Sequence, residues 1–138
     1  MRLDGSSGNT TWLKGGSAGQ YIDADYANGY VYAAGSKRVC FGNDCLTLCV
    51  LDRFSVETGG RASYGNDYPS AGDGQYICYG AAASPGTNTV YLQGGPLRRL
   101  EGPTGKVMSS RGGISRPYRV GYGNTILASN GVMYDADR

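Results

Sequence analysis

An all-β fold of short antiparallel strands joined by Gly-rich turns follows from three features of this sequence. Glycine fills 24 of 138 positions, and glycine is most useful where a turn needs positive φ, so the chain turns often. Tyrosine occurs 12 times against two Phe, which suits a pleated, half-wet surface where the ring packs and the hydroxyl stays hydrated. Asn28-Gly29 and Asn130-Gly131 are strong hairpin signals, and short apolar runs flank both. A sandwich, a small barrel and a fibre-like arrangement all satisfy these features. The length suits one domain with a modest core.

Residues 1–19 hold five glycines among Ser and Thr, with Leu3, Trp12 and Leu13 as the bulky apolar groups. Such a stretch is too polar to fold alone. It reads either as a flexible leader or as an arm anchored on a partner through those three residues. Residues 20–138 then form a single β domain. Tyr21-Ile22-Asp23-Ala24-Asp25-Tyr26 alternates imperfectly up to the Asn28-Gly29 turn, and Tyr30-Val31-Tyr32-Ala33 returns.

A phrase of Gly, basic residues and aromatic-Gly-Asn-Asp is then written twice, over 35–44 and 59–67, each copy predicting turn, strand, turn. Between them Leu46-Thr47-Leu48-Cys49-Val50-Leu51 has strand length and the apolarity of a strand buried on both faces, while Phe54-Ser55-Val56-Glu57 alternates as an edge strand would. Thr89-Val90-Tyr91-Leu92-Gln93 echoes Tyr30-Val31-Tyr32-Ala33-Ala34, and Gly74-Gln75-Tyr76-Ile77 echoes Gly19-Gln20-Tyr21-Ile22. Tyr122-Gly123-Asn124 adds a third aromatic-Gly-Asn. No constant period fits these echoes. Residues 94–119, rich in Gly, Ser and Arg and carrying Pro96, Pro103 and Pro117, read as a long basic loop, because Pro excludes central strands.

The net charge of +2 gives no pull toward nucleic acid or a membrane surface. No run is long and apolar enough for a membrane span, and the N-terminus lacks a signal-peptide core. The expectation is therefore a complete chain made and kept in the cytosol, with its four cysteines reduced and packed as small apolar groups. A metal reading of Cys40, Cys45 and Cys49 fails on spacing, since Cys45 and Cys49 on one extended strand would lie about 13 Å apart.

No catalytic motif is present. The chain has no His, which removes nucleophilic catalysis with a His base. Asp23 and Asp25 share a strand face, and Asp52 and Glu57 are close in sequence, but carboxylates near turns are usually solvated or capping groups. No cofactor and no metal is expected. The basic residues Arg98, Arg99, Lys106, Arg111, Arg116 and Arg119 face the single acid Glu101 in their segment. They read as a solvated loop or as a strip that docks an acidic protein surface.

In this texture, with Tyr64-Gly65-Asn66-Asp67 and Ala128-Ser129-Asn130-Gly131-Val132-Met133-Tyr134 as its clearest phrases, the chain resembles small structural proteins of tailed bacteriophages, the head decoration (cement) proteins and fibre or knob modules. The resemblance implies a homo-oligomer, a trimer above all, made in the host cytoplasm. It implies a place in the virion on a major capsid or tail protein, with Leu3, Trp12, Leu13 and the six basic residues as lattice contacts. The alternative it implies is a fibre tip or lectin that stacks glycans on Trp12, Tyr30, Tyr32, Tyr64 and Tyr68.

Overall fold

The computed structural model describes residues 2–12, 15–16, 18–63, 80–93, 97–111, 117–120, 125–128 and 133–135. All regular structure among them is antiparallel β, as the composition predicts. A small hairpin pairs β1 (Arg2–Leu3) with β2 (Thr10–Trp12). A first four-stranded meander follows: β3 (Gln20–Ala27), β4 (Tyr30–Phe41), β5 (Asp44–Ser55) and β6 (Arg61–Ser63). A second comprises β7 (Gly80–Ser84), β8 (Thr89–Gln93), β9 (Leu97–Glu101) and β10 (Val107–Arg111). A three-stranded sheet follows, with β11 (Pro117–Val120), β12 (Thr125–Ala128) and β13 (Met133–Asp135).

The two meanders are copies of one unit. In the first, Val31 pairs with Phe54, Tyr32 with Arg53, Ala33 with Asp52 and Ala34 with Leu51. In the second, Val90 pairs with Leu100, Tyr91 with Arg99, Leu92 with Arg98 and Gln93 with Leu97. The β5–β6 turn closes with Gly59 N–H donating to Ser55 O at 2.8 Å, and the β9–β10 turn with Gly105 N–H donating to Glu101 O at 2.8 Å. The β1–β2 turn repeats the bond from Gly8 to Asp4 at 2.8 Å. The three glycines have φ of 70°, 68° and 71° in chain order, the left-handed region that favours glycine. Each turn also places a Ser or Thr hydroxyl, from Ser7, Thr58 or Thr104, to accept the N–H two residues on. The underlying sequence is Arg-(Leu/Phe)-(Asp/Ser/Glu)-x-x-(Ser/Thr)-Gly, at 2–8, 53–59 and 99–105.

The sheets stack. Tyr32, Ala34, Cys49 and Leu51 on one face of the first meander pack on Ala81, Ala83, Val90, Leu92 and Leu100 of the second, and these residues form the main core. Strand β7 packs against β3 and β4, and β11 packs in turn against β7 and β8. Contact thus passes from the first strand of one sheet to the first two strands of the sheet before it. Caught between neighbours, β7 and β8 are buried at every position.

Several sequence expectations are corrected. The Asn28-Gly29 turn forms as expected, with φ of 52° and 84°, but Gly35, read as opening a turn, lies buried in the middle of β4 opposite Val50. The duplicated phrase is therefore not the structural repeat. Phe54 belongs to the same long strand as Leu51 and is buried, and Val56 begins the turn. The supposed loop at 94–119 contains β9, β10 and β11. Its prolines obey the rule that suggested a loop: Pro103 sits in the β9–β10 turn and Pro117 is the first residue of β11. The last hairpin, β12 with β13, forms. Its Asn130-Gly131 turn lies outside the described residues, as do Gly74-Gln75-Tyr76-Ile77 and Tyr122-Gly123-Asn124.

Candidate interaction surface

Strand β4 is twelve residues long, and so is β5, whereas their counterparts β8 and β9 have five each. The extra length makes a ribbon. Among the described residues, β3 pairs with β4 only as far as Ser36, and β6 pairs with β5 only from Asp52 to Phe54. Lys37 to Leu48 therefore runs on, among the described residues, as a two-stranded hairpin around the Gly42-Asn43 turn, where Gly42 has φ of 62°. Isolated two-stranded hairpins are marginal in water. Here a disulfide joins Cys40 to Cys45, which face each other across the register with Cα atoms 4.0 Å apart. Phe41 at the tip is 70% exposed, and Arg38 is exposed along the shaft.

The disulfide overturns the expectation of reduced cysteines. A two-residue turn sets its flanking pairs directly opposite, so Cys40 and Cys45, the second pair out from the Gly42-Asn43 turn, are placed for a cross-strand bridge. Cys49 is disulfide-bonded as well, and no described cysteine is free. Cys78 lies outside the described residues.

The carboxylates proposed as a catalytic pair serve the sheet junction. A β-bulge at Ile22 shifts the phase of β3, so that Asp23 and Asp25 fall opposite Ala34 and Tyr32 and face the second meander. Asp23 Oδ2 accepts the N–H of Ala81 at 3.1 Å, and Asp25 Oδ2 accepts that of Ala83 at 2.9 Å. Each Oδ1 accepts the following N–H of its own strand, from Ala24 at 3.0 Å and Tyr26 at 2.9 Å. Two sheet edges with outward N–H groups are thus joined through carboxylates, and the requirement to satisfy those donors is met without merging the sheets.

On the opposite face, Tyr21 donates to Asp52, which is fully buried, and packs edge-on against Phe54 with ring centroids 6.2 Å apart. Burial first, and then the Asp52 carboxylate, push the Tyr21 phenol above its usual range. In the β1–β2 turn, the hydroxyls and N–H groups of Ser6 and Ser7 hold Asp4 well below the usual carboxylate range.

The described basic residues of this segment lie on β9, β10, β11 and the β9–β10 turn. Arg98 is buried and Arg99 half-buried on alternate faces of β9. Lys106 is exposed at the β9–β10 turn, and Arg111 lies at the other end of that hairpin, opposite Leu97. Arg119 is in β11 opposite Leu127, and Arg116 lies outside the described residues. Within the N-terminal segment, Leu3 pairs with Thr10 and Trp12 with Arg2 in the hairpin, in place of an arm, and Leu13 lies outside the described residues.

The glycan platform loses Tyr32, which is buried in the core, and Tyr30 is half-buried with the Arg53 guanidinium 4.3 Å from its ring centroid. Tyr64 and Tyr68 lie outside the described residues. The large apolar groups left exposed are others, among them Ile22, Tyr26 and Phe41. An open groove of 360 Å³ next to Tyr26 is lined also by Arg2, Asn28, Tyr30 and Val56. No group of metal-ligating side chains is found among the described residues.

In comparisons with known proteins the chain matches no family model, no curated protein and no solved structure.

Proposed function

We propose that this chain is a structural component that works by contact, with the stapled β4–β5 ribbon as its docking element and a virion of tailed-phage type as its setting. The observation that carries the proposal is the ribbon. The same connection in the second unit joins strands of five residues, so the ribbon is an extension of a repeated unit at one loop, and in repeat proteins such extensions commonly carry binding. It is braced covalently and ends in an exposed aromatic residue, the kind of rigid anchor that supplies most of the energy at protein interfaces. Asp23 and Asp25 support a role without catalysis, since both are engaged in holding one sheet to the next. The setting rests on the resemblance of sequence texture.

The test is mass spectrometry of virus particles purified from the source of the chain, set against the particle-free fraction. Enrichment with the particles supports the reading, and Phe41→Ala should then lower occupancy at least tenfold. Recovery in the particle-free fraction alone overturns it.

A further inference from the structure

The described cysteines are all disulfide-bonded, but they lie in opposite settings. Cys49 is 0% exposed and belongs to the main core, where packed side chains keep a reductant from its sulfur. Cys40 and Cys45 are both exposed, and so are Phe41, Gly42, Asn43 and Asp44 between them. Among the described residues the core cluster takes Tyr32 and Ala34 from β4 and Cys49 and Leu51 from β5, and nothing from the ribbon at 37–48. Nor does a third described strand lie beside the ribbon on either edge. Its tip is thus held by a two-stranded ladder, which is marginal alone, and by the Cys40–Cys45 bridge.

We propose that the Cys40–Cys45 bridge is a redox clasp, which a dithiol opens in the folded chain and whose opening unlocks the ribbon. Thiol–disulfide exchange needs a thiolate to reach a disulfide sulfur, so exposed bridges are the labile and regulatory ones. Here both sulfurs belong to exposed residues. A thiolate of the reductant attacks one cysteine sulfur and forms a mixed disulfide, while the other cysteine leaves as a thiolate. The second thiol of the reductant then displaces the cysteine still bound to it. One S–S bond is lost from the ribbon and one forms in the reductant, and two electrons and two protons pass to Cys40 and Cys45. Cys49 offers no such approach while the sheets stay packed. A reducing compartment therefore leaves the ribbon open, and an oxidising one closes it. This inference concerns the state of the ribbon and does not depend on what the ribbon binds or on the virion setting.

Dithiothreitol added to the oxidised full chain in native buffer, quenched with iodoacetamide and read by peptide mass spectrometry, tests it. Cys40 and Cys45 should be alkylated together, about tenfold or more faster than Cys49. Hydrogen exchange on the same samples should show the amides of 37–48 losing about tenfold more protection than those of β8, and oxidised glutathione should restore it. Cys40→Ser with Cys45→Ser should show the exchange pattern of the reduced chain with no reductant added. Alkylation of Cys49 together with the pair or ahead of it overturns the proposal. So does a ribbon whose exchange is unchanged by reduction, a loss of protection shared equally by β8, or a pair that oxidised glutathione does not close.

Discussion

Replacing Asp25 by Ala tests whether carboxylates, and not packing alone, hold the first two sheets together. The substitution removes the acceptor of the Ala83 N–H, which is bonded at 2.9 Å and belongs to a residue only 5% exposed. A hydrogen bond to a charged acceptor contributes about 1.5–3 kcal/mol, and the buried donor left behind adds its desolvation cost. Asp25 itself is half-buried, so the lower part of that range applies, about 1.5–2 kcal/mol. For a domain of this size the loss corresponds to a fall in Tm of roughly 5–8 °C. Asp25→Asn keeps a neutral acceptor and should lose about half as much. Asp23→Ala removes the matching bond to Ala81, and the double variant should lose about 3–4 kcal/mol, short of strict additivity only as far as the neighbouring sites couple. Urea and thermal unfolding of the four variants measure these values. A cost below about 0.5 kcal/mol for Asp25→Ala, the size of an ordinary surface change, would refute the role given to the carboxylates.

Three further outcomes are expected. Replacing Cys40 and Cys45 by Ser opens a loop of sequence separation 5. The chain-entropy relation gives a loss of about 2 kcal/mol, and an unchanged unfolding midpoint in denaturant would contradict it. Gly102→Ala sets a Cβ 2.6 Å from the backbone oxygen of Asn88, where the sheets meet, whereas Gly5 at the same position of the β1–β2 turn has open space. The first should cost about 1–3 kcal/mol and Gly5→Ala should leave Tm unchanged; equal effects would refute the distinction. The Tyr21 phenol, raised by burial and by Asp52, contributes stability that is complete below the unfolded tyrosine pKa of about 10. That contribution is lost as pH climbs beyond it toward the folded value. The Tm advantage of wild type over Tyr21→Phe should therefore be flat below about pH 9 and shrink above about pH 10, and a gap that stays constant through pH 11 would count against it.

The sequence reveals what depends on one or two neighbouring residues. Asn28-Gly29 forms its turn because both residues tolerate positive φ without help from the rest of the chain. The echo between Tyr30-Val31-Tyr32 and Thr89-Val90-Tyr91 is a true equivalence, since Tyr32 and Tyr91 occupy the same register position opposite Arg53 and Arg99. No constant period fits because β4 and β5 extend into the ribbon while β8 and β9 stop at five residues. The more regular motif, Arg-(Leu/Phe) followed four residues after the apolar position by (Ser/Thr)-Gly, is legible at 2–8, 53–59 and 99–105, although its meaning is a turn and not a ligand site. What sequence periodicity leaves hidden is set by neighbouring sheets. Arg98 is buried because β9 belongs to a sheet stacked on another, and nothing local distinguishes Leu97-Arg98-Arg99-Leu100 from a solvated basic segment. Asp23 and Asp25 read as strand-face acids in either case, and only the β7 edge turns them into acceptors.

The same dependence gives the exposed residues their meaning. In a single unit Tyr26 is an ordinary tyrosine on a half-wet strand, but its counterpart Ala83 is buried under a neighbouring sheet. Exposure at Tyr26 therefore marks a β3 position whose counterpart in the second meander is covered, and Phe41 marks a place where the repeat has been extended. The two exposed sites have different origins, which predicts that they are separable. Substitution at Tyr26 should leave what the ribbon binds unchanged, whereas substitution at Phe41 should weaken it. If Tyr26→Ala weakens binding by the ribbon as much as Phe41→Ala does, one continuous surface serves both residues and the distinction between repeat position and added ribbon fails.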